Sequence, residues 1–308
     1  MVRGCWPVLL SLCSAVAYSQ EVDFSGQWQP LFHEDGPERI PGPDLGDYSG
    51  IPINEAARMR GDSYDPNRIS VVMEYQCRQH GADYSMRAFA HMRVMRELDP
   101  VTQQAVAFHT RLGAYNMSRT IYLDGRPHPP ANAPHTFQGF STGTWKANRL
   151  VIKTTHLKES YLRRNGLPAS SERTFTESWV RHGDYLTVVT IIEDPAFLTE
   201  RLVRSQNWVL DPGQRTSSDP CEYVPEVPVS TRPVPHYLPG QNPFTSEFAD
   251  RFGLPLQGVR GGAQTLYPEY RLKMDKPPKS PEHCPIYCTC MNEGLSCPEH
   301  GPGAARSP

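Results

Sequence analysis

Apolar and polar positions alternate with a period of two in several short runs between residues 22 and 212, and helical periodicity is scarce. In RTFTESWVRHGDYLTVVTIIEDP (173–195), Phe175, Glu177 and Trp179 alternate with Thr176, Ser178 and Val180. This predicts a hairpin turning at His182-Gly183-Asp184. GTWKANRLVIKTTHL (143–157) predicts two strands joined at Ala147-Asn148, and RLVRSQNWVLDP (201–212) another strand. VDFSGQWQPLF (22–32) predicts a first strand carrying Trp28, and Ile69–Tyr75 a short one ending near Cys77. The run 84–98 fits a helix by its residue types and a strand by the set Met92, Val94, Arg96 and Leu98. A hairpin 92–98/104–112 around DPVTQQ follows if the strand prevails. SRTIYLDGRP adds a strand ended by Asp124-Gly125. Apart from the ambiguous run 84–98, INEAARMRG and SEFADRFGLP (246–255) predict helical turns, the second with Ser246 as N-cap.

Many short strands and few helices predict a mainly β fold, an antiparallel barrel-like domain. From Glu222 onward prolines break any regular sheet, and the tail is expected to be largely irregular. Its aromatics, Tyr237, Phe244, Phe248, Phe252, Tyr267 and Tyr270, favour a tail wrapped on the barrel. The expected organisation is a leader over 1–19, a barrel-like domain over 20–222, a wrapping extension over 223–283 and a Cys-rich tail over 284–308. The last part is expected to be partly disordered.

Composition agrees with this division. Prolines number 31 of 308 residues, about twice ordinary usage, and 38% of residues are hydrophobic. With 31 basic and 33 acidic residues, charge makes no case for a nucleic-acid partner or an anionic membrane surface. MVRGCWPVLLSLCSAVAYSQ has the charge, apolar core and small residues of a secretory signal, with cleavage after Ala17 or Ser19. A lipoprotein reading would use Cys13, but Leu12 stands where a small residue is expected. No later segment is apolar over a membrane-spanning length, so a periplasmic or extracellular location is expected, without a transmembrane segment.

Six cysteines remain beyond the leader: Cys77, Cys221, Cys284, Cys288, Cys290 and Cys297. In an oxidising compartment an even count favours disulfides. Cys77 and Cys221 stand alone and are candidates to pair; the alternative is two buried thiols. The terminal four, with His283 and His300, allow two local disulfides or a tetrahedral metal site. Their spacing fits no standard finger, so disulfides are the default and no metal is favoured.

The run from IYLDGRPHPP through APHTFQGFSTGTW, LVIKTT and TFTESW to EDP resembles an uncharacterised family of exported bacterial proteins. That family carries a DGR turn, a G[YF]SxGxW segment, an LVxxTT strand, and an ExW strand before DP. The resemblance covers roughly 22–222, and it implies no catalytic residue. The tail PHYLPGQNPFTSEFADRFGLPLQGVRGGAQTLYPEY resembles that of one subgroup; the cluster HCPIYCTCMNEGLSC matches no part of the family. Gly26-Gln27-Trp28 is similar to the GxW of lipocalin-type barrels, where the tryptophan plugs one end. That implies a barrel rather than a sandwich.

Candidate chemistry gathers in three places. Asp124, Arg126, His128 and His135 lie in a Pro-stiffened loop leading to Trp145; they form either a binding or acid/base cluster, or a turn with capping histidines. If Ile152, Thr154 and His156 point inward, the barrel interior is part polar, and Arg163 and Arg164 beyond it form an anion site or a solvated loop. Glu177 sits mid-strand beside Phe175 and Trp179, as a general acid raised by burial or as one half of a buried ion pair with an arginine. His182 and Asp184 flank a hairpin tip and read as exposed turn residues. GFSTG carries the letters of a nucleophile elbow, but strand follows it where a helix is required, which excludes Ser141 as that nucleophile.

No cofactor motif is present in the sequence. The first functional expectation is small-molecule binding in a barrel cavity, through Asp124, Arg126, His128, His135, Trp145, His156, Arg163 and Glu177. The alternatives are a hydrolase or isomerase using His128, His135, His156 or Glu177 as acid/base groups, and a structural envelope component.

Overall fold

A computed structural model describes residues 22–31, 42–87, 90–213, 221–227 and 233–274. The expected leader and the terminal cysteine cluster lie outside the described residues. Nine strands close into a barrel: β1 (Gly26–Pro30), β2 (Met92–Leu98), β3 (Ala105–Leu112), β4 (Ser118–Tyr122), β5 (Phe140–Lys146), β6 (Arg149–Thr155), β9 (Thr174–His182), β10 (Tyr185–Glu193) and β11 (Leu202–Leu210). β7 (Ser160–Tyr161) and β8 (Pro168–Ala169) form a separate small hairpin. Going round the ring the order is β1-β11-β10-β9-β6-β5-β4-β3-β2. The mainly β, barrel-like class expected from the alternation is the class observed.

A closed ring of strands that alternate in direction needs an even number. With nine, one neighbouring pair must run parallel, and that pair is β4 with β5, Ile121 opposite Ser141. A parallel pair needs a long return connection. Residues 123–139, the Pro-rich histidine stretch, are that connection. They run from the end of β4 back to the start of β5.

The inward set follows the period-two reading. Phe175, Glu177 and Trp179 of β9, Leu186, Val188 and Ile192 of β10, and Leu150, Ile152 and Thr154 of β6 are all buried. Trp28, Phe24, Phe108 and Trp179 pack together at one end, with the Trp145 ring stacked on Phe24 at 5.8 Å between centroids. Trp28 is fully buried and donates its indole N–H to the carbonyl of Phe24 at 2.9 Å. The bore is therefore filled with side chains rather than open.

The opposite end is covered by a cap made of two excursions, 42–87 between β1 and β2 and 156–173 between β6 and β9. The cap holds α1 (Glu55–Ser63), capped by the Asn54 side chain on the Ala57 N–H, and the short α2 (Ala82–Ser85). Ile69–Tyr75 is not the expected strand: the chain turns there and enters a 3-10 turn over Met73–Gln76. Apolar residues are needed here to face the core, and Val72 and Met73 do so without any strand to pair with. Arg173 is fully buried and grips the Asp83 carboxylate at 3.0 Å through both Nε and Nη2. The carbonyls of Lys158 and Ser170 take its other guanidinium nitrogen. This pair ties α2 to the barrel end.

The Cys77–Cys221 disulfide is formed, joining residues 144 apart in sequence with Cα atoms 5.6 Å apart. It fastens the start of the extension to the cap. Arg68 pairs with Glu226, the Tyr237 N–H bonds the Ser63 carbonyl, and Asn242 bonds the carbonyls of Asp62 and Tyr64. Further on lie α3 (Glu247–Phe252), ended by Gly253 at φ 62°, α4 (Leu256–Val259) and α5 (Pro268–Leu272). Val259 is buried and its carbonyl accepts from the Tyr48 N–H. The hydrogen bonds that fasten the extension thus run to the cap, where Tyr48 and α1 offer free backbone groups. The barrel strands have spent theirs on each other.

Candidate functional site

A cleft of about 580 Å³ opens where the cap, the β7–β8 hairpin and the extension meet. α1 contributes Ala56, Met59, Arg60 and Ser63, positions three and four apart that share one face. Tyr64, Val71, Tyr161 and Pro168 complete an apolar floor, and residues 235–239 stand opposite as an outer wall. The Tyr64 and Tyr161 rings meet edge to face at 5.5 Å. Tyr161 donates its hydroxyl to the Val71 carbonyl at 2.5 Å, and burial pushes its phenol up to about 12. The floor therefore presents ring faces rather than a ready proton. Arg60 and Glu159 pair at 3.7 Å on the exposed rim and largely cancel each other's charge. Gly166 lies against the floor at φ 88°; a Cβ there would stand 2.2 Å from Tyr64 Cβ, so only glycine lets the tyrosine seat.

Behind the floor lies an ionic cluster that the sequence reading did not single out. Glu74 Oε1 meets His80 Nε2 at 3.1 Å and Arg164 Nε at 2.9 Å. Burial raises the Glu74 carboxyl, but the His80 hydrogen bond and the charges of His80 and Arg164 outweigh it and hold the group at about 2. His80 also packs on the Tyr84 ring at 4.4 Å. The only local clue was an acidic and an imidazole residue either side of an isolated cysteine, too weak a pattern to read.

The sequence-predicted candidates separate into distinct places. Glu177 lies in the bore, fully buried, with Oε2 2.7 Å from Arg119 Nη1 and Oε1 accepting the Trp179 indole N–H at 3.0 Å. Of its two readings the ion pair is the one present, and the carboxylate is not offered to a substrate. Gln206, on the inward face of β11, finds no partner for either amide atom. Arg163 is buried and donates to the Asp47 carbonyl at 2.8 Å. It braces the cap and forms no anion site with Arg164, which is drawn to Glu74. Trp145 closes the end of the barrel far from the cap. Asp124 and Arg126 pair with each other in the open, Arg126 lying over the Tyr122 ring at 3.7 Å. That hydrogen bond with Arg126, against a small cost of burial, holds the Asp124 carboxyl below its ordinary value.

His128, His135 and His156 do come together, but on the outer wall. The expectation that His156 follows Thr154 inward is corrected. His156 adopts φ 57°, a left-handed conformation that breaks the alternation and turns its ring outward. For a residue with a Cβ this costs about 1–2 kcal/mol. The ring is instead held by Thr155 Oγ1 at 2.7 Å and the Pro130 carbonyl at 3.0 Å. His128 bridges Thr155 Oγ1 at 2.7 Å and Thr142 Oγ1 at 2.8 Å. His135 bonds the Leu157 carbonyl at 2.9 Å, its ring 5.2 Å from that of His156. The crossover is thereby stitched to β5 and β6.

Among the described residues no group of His, Cys, Asp and Glu is placed to hold a metal ion. No helix among them is long and apolar enough to cross a membrane. No family model matches the chain, and no curated protein matches it.

Proposed function

We propose that this is an exported small-molecule binding protein whose site is the cleft between α1, the β7–β8 hairpin and the 235–239 wall. The observation that carries the reading is the cleft itself. Its volume falls within the ordinary range of ligand pockets, roughly 300–1,000 Å³. Its floor is aromatic and apolar, and its rim charges are paired. A neutral molecule with a ring or compact apolar body suits it; a strongly charged one does not. This reading takes the cleft at the capped end as the binding site, rather than a cavity of the barrel. A secretory leader in the sequence and the Cys77–Cys221 disulfide support export to an oxidising compartment.

Filling the cleft tests this. Ala56 is exposed on α1 and faces the cleft, so Ala56→Trp occupies the space without disturbing the core. A neutral naphthylamine dye that brightens in apolar surroundings should bind the wild-type protein and lose at least tenfold in affinity to Ala56→Trp. Equal dye binding by both proteins, or none by the wild type across a panel of neutral aromatic and alicyclic probes, would sink the reading.

A further inference from the structure

The stitching of the crossover has a direction that the donors and acceptors fix. A carbonyl only accepts, so the Pro130 contact places a proton on His156 Nε2. With His156 neutral, its Nδ1 is bare and accepts from the Thr155 hydroxyl. Thr155 then accepts from His128 Nδ1–H, and bare His128 Nε2 accepts from the Thr142 hydroxyl. Four hydrogen bonds run one way, from Thr142 to Pro130, through two neutral imidazoles.

One added proton leaves all four bonds intact. If it sits on His128, Thr142 rotates and accepts. If it sits on His156, the Thr155 hydroxyl turns to donate to His128 Nδ1, and His128 Nε2–H donates to Thr142. The two states interconvert by moving protons along the chain, with Thr155 as the switch. A second proton makes both rings donate to Thr155, whose oxygen can accept the two but whose own hydroxyl hydrogen loses its place in the chain. Two cations then stand within two hydrogen-bond lengths of each other.

We propose that His128, Thr155 and His156 form one proton-sharing unit, a pH-sensitive latch that holds the 128–134 part of the crossover on the barrel wall, keeps its first proton and opens on its second. The surroundings favour this. Burial first, then the charges of Lys153 and His156, lower the His128 imidazole below its ordinary value. The groups facing the pair are Lys153 on β6, the His135 ring beside His156 and the uncharged Phe140 ring against His128; among the described residues neither imidazole pairs with a carboxylate that would offset the repulsion. Because the folded unit resists the second proton, closure is complete near neutral pH and lost as pH falls below the ordinary imidazole range.

Nitrogen-detected NMR of the full chain, labelled at histidine and titrated from pH 8 to 4, tests the proposal. Both rings should follow the same two steps, separated by roughly one pH unit or more. The protection factor of the Ala133 amide, which donates to the Pro130 carbonyl, should fall at least tenfold over the second step. Thr155→Val, on the outer wall, should convert both rings to single, independent titrations and raise the pH at which the segment opens. Independent single-site curves in the wild type would overturn the proposal, as would an Ala133 protection factor that stays constant across the titration. The wild-type curves decide even if the variant fails to fold.

Discussion

Arg119 and Glu177 meet across the bore of the barrel, 2.7 Å apart and both buried, from strands β4 and β9 that are not neighbours in the ring. Taking two charges out of water is costly, and the pair is tolerated only because each partner compensates the other. Glu177→Ala leaves a buried guanidinium with only the Phe175 ring beneath it. We expect a loss of about 3–5 kcal/mol in urea unfolding followed by tryptophan fluorescence. Replacing both partners, Arg119→Met with Glu177→Leu, should recover most of that loss. An unchanged midpoint in the single variant would contradict the arrangement.

The barrel was legible because a strand with one face in a core writes its register into the sequence. Phe175, Glu177 and Trp179 could be assigned to one face without knowing what they touch. What Glu177 touches was not legible, since Arg119 belongs to a strand brought near only by closure of the ring. The same holds for Arg173 and Asp83, whose pairing fixes the cap and leaves no periodic trace. His156 was misplaced for a different reason. One left-handed residue reverses the face on which its side chain emerges, and the alternation ahead of it gives no warning. The crossover is the intermediate case. Its prolines and histidines were visible as a stiff, polar stretch. Its purpose follows only from the odd strand count, which makes one parallel pair and one long return unavoidable.

The Cys77–Cys221 bond closes a long loop containing most of the barrel and ties the extension to the cap. In the chain-entropy account such a closure stabilises by roughly 3–5 kcal/mol. The Cys77→Ser, Cys221→Ser double variant should unfold at a correspondingly lower urea concentration while keeping the wild-type circular dichroism spectrum. The extension keeps its anchors at Arg68–Glu226 and Asn242, so dye binding in the cleft should weaken by no more than a few fold. Loss of the β-sheet spectrum in the double variant would show that the bond is needed to form the barrel and not merely to stabilise it.

Glu74 gives the cap a dependence on acid that can be separated from the histidine latch. Its carboxyl is held at about 2, against an ordinary value of 4.5, because His80 and Arg164 overcome the cost of burying it. The unfolded chain therefore binds this proton more readily than the folded one. The stability Glu74 supplies is present in full above pH 4.5 and drains away as pH falls towards 2. The size of the shift corresponds to roughly 3 kcal/mol when the group is ionised. Glu74→Gln cannot ionise, so the difference in urea midpoint between wild type and variant should be largest near pH 6 and shrink steadily from pH 4.5 downwards. A difference that stays constant across that range would mean that Glu74 acts through its shape and neutral hydrogen bonds, and that the cap is not held by its charge.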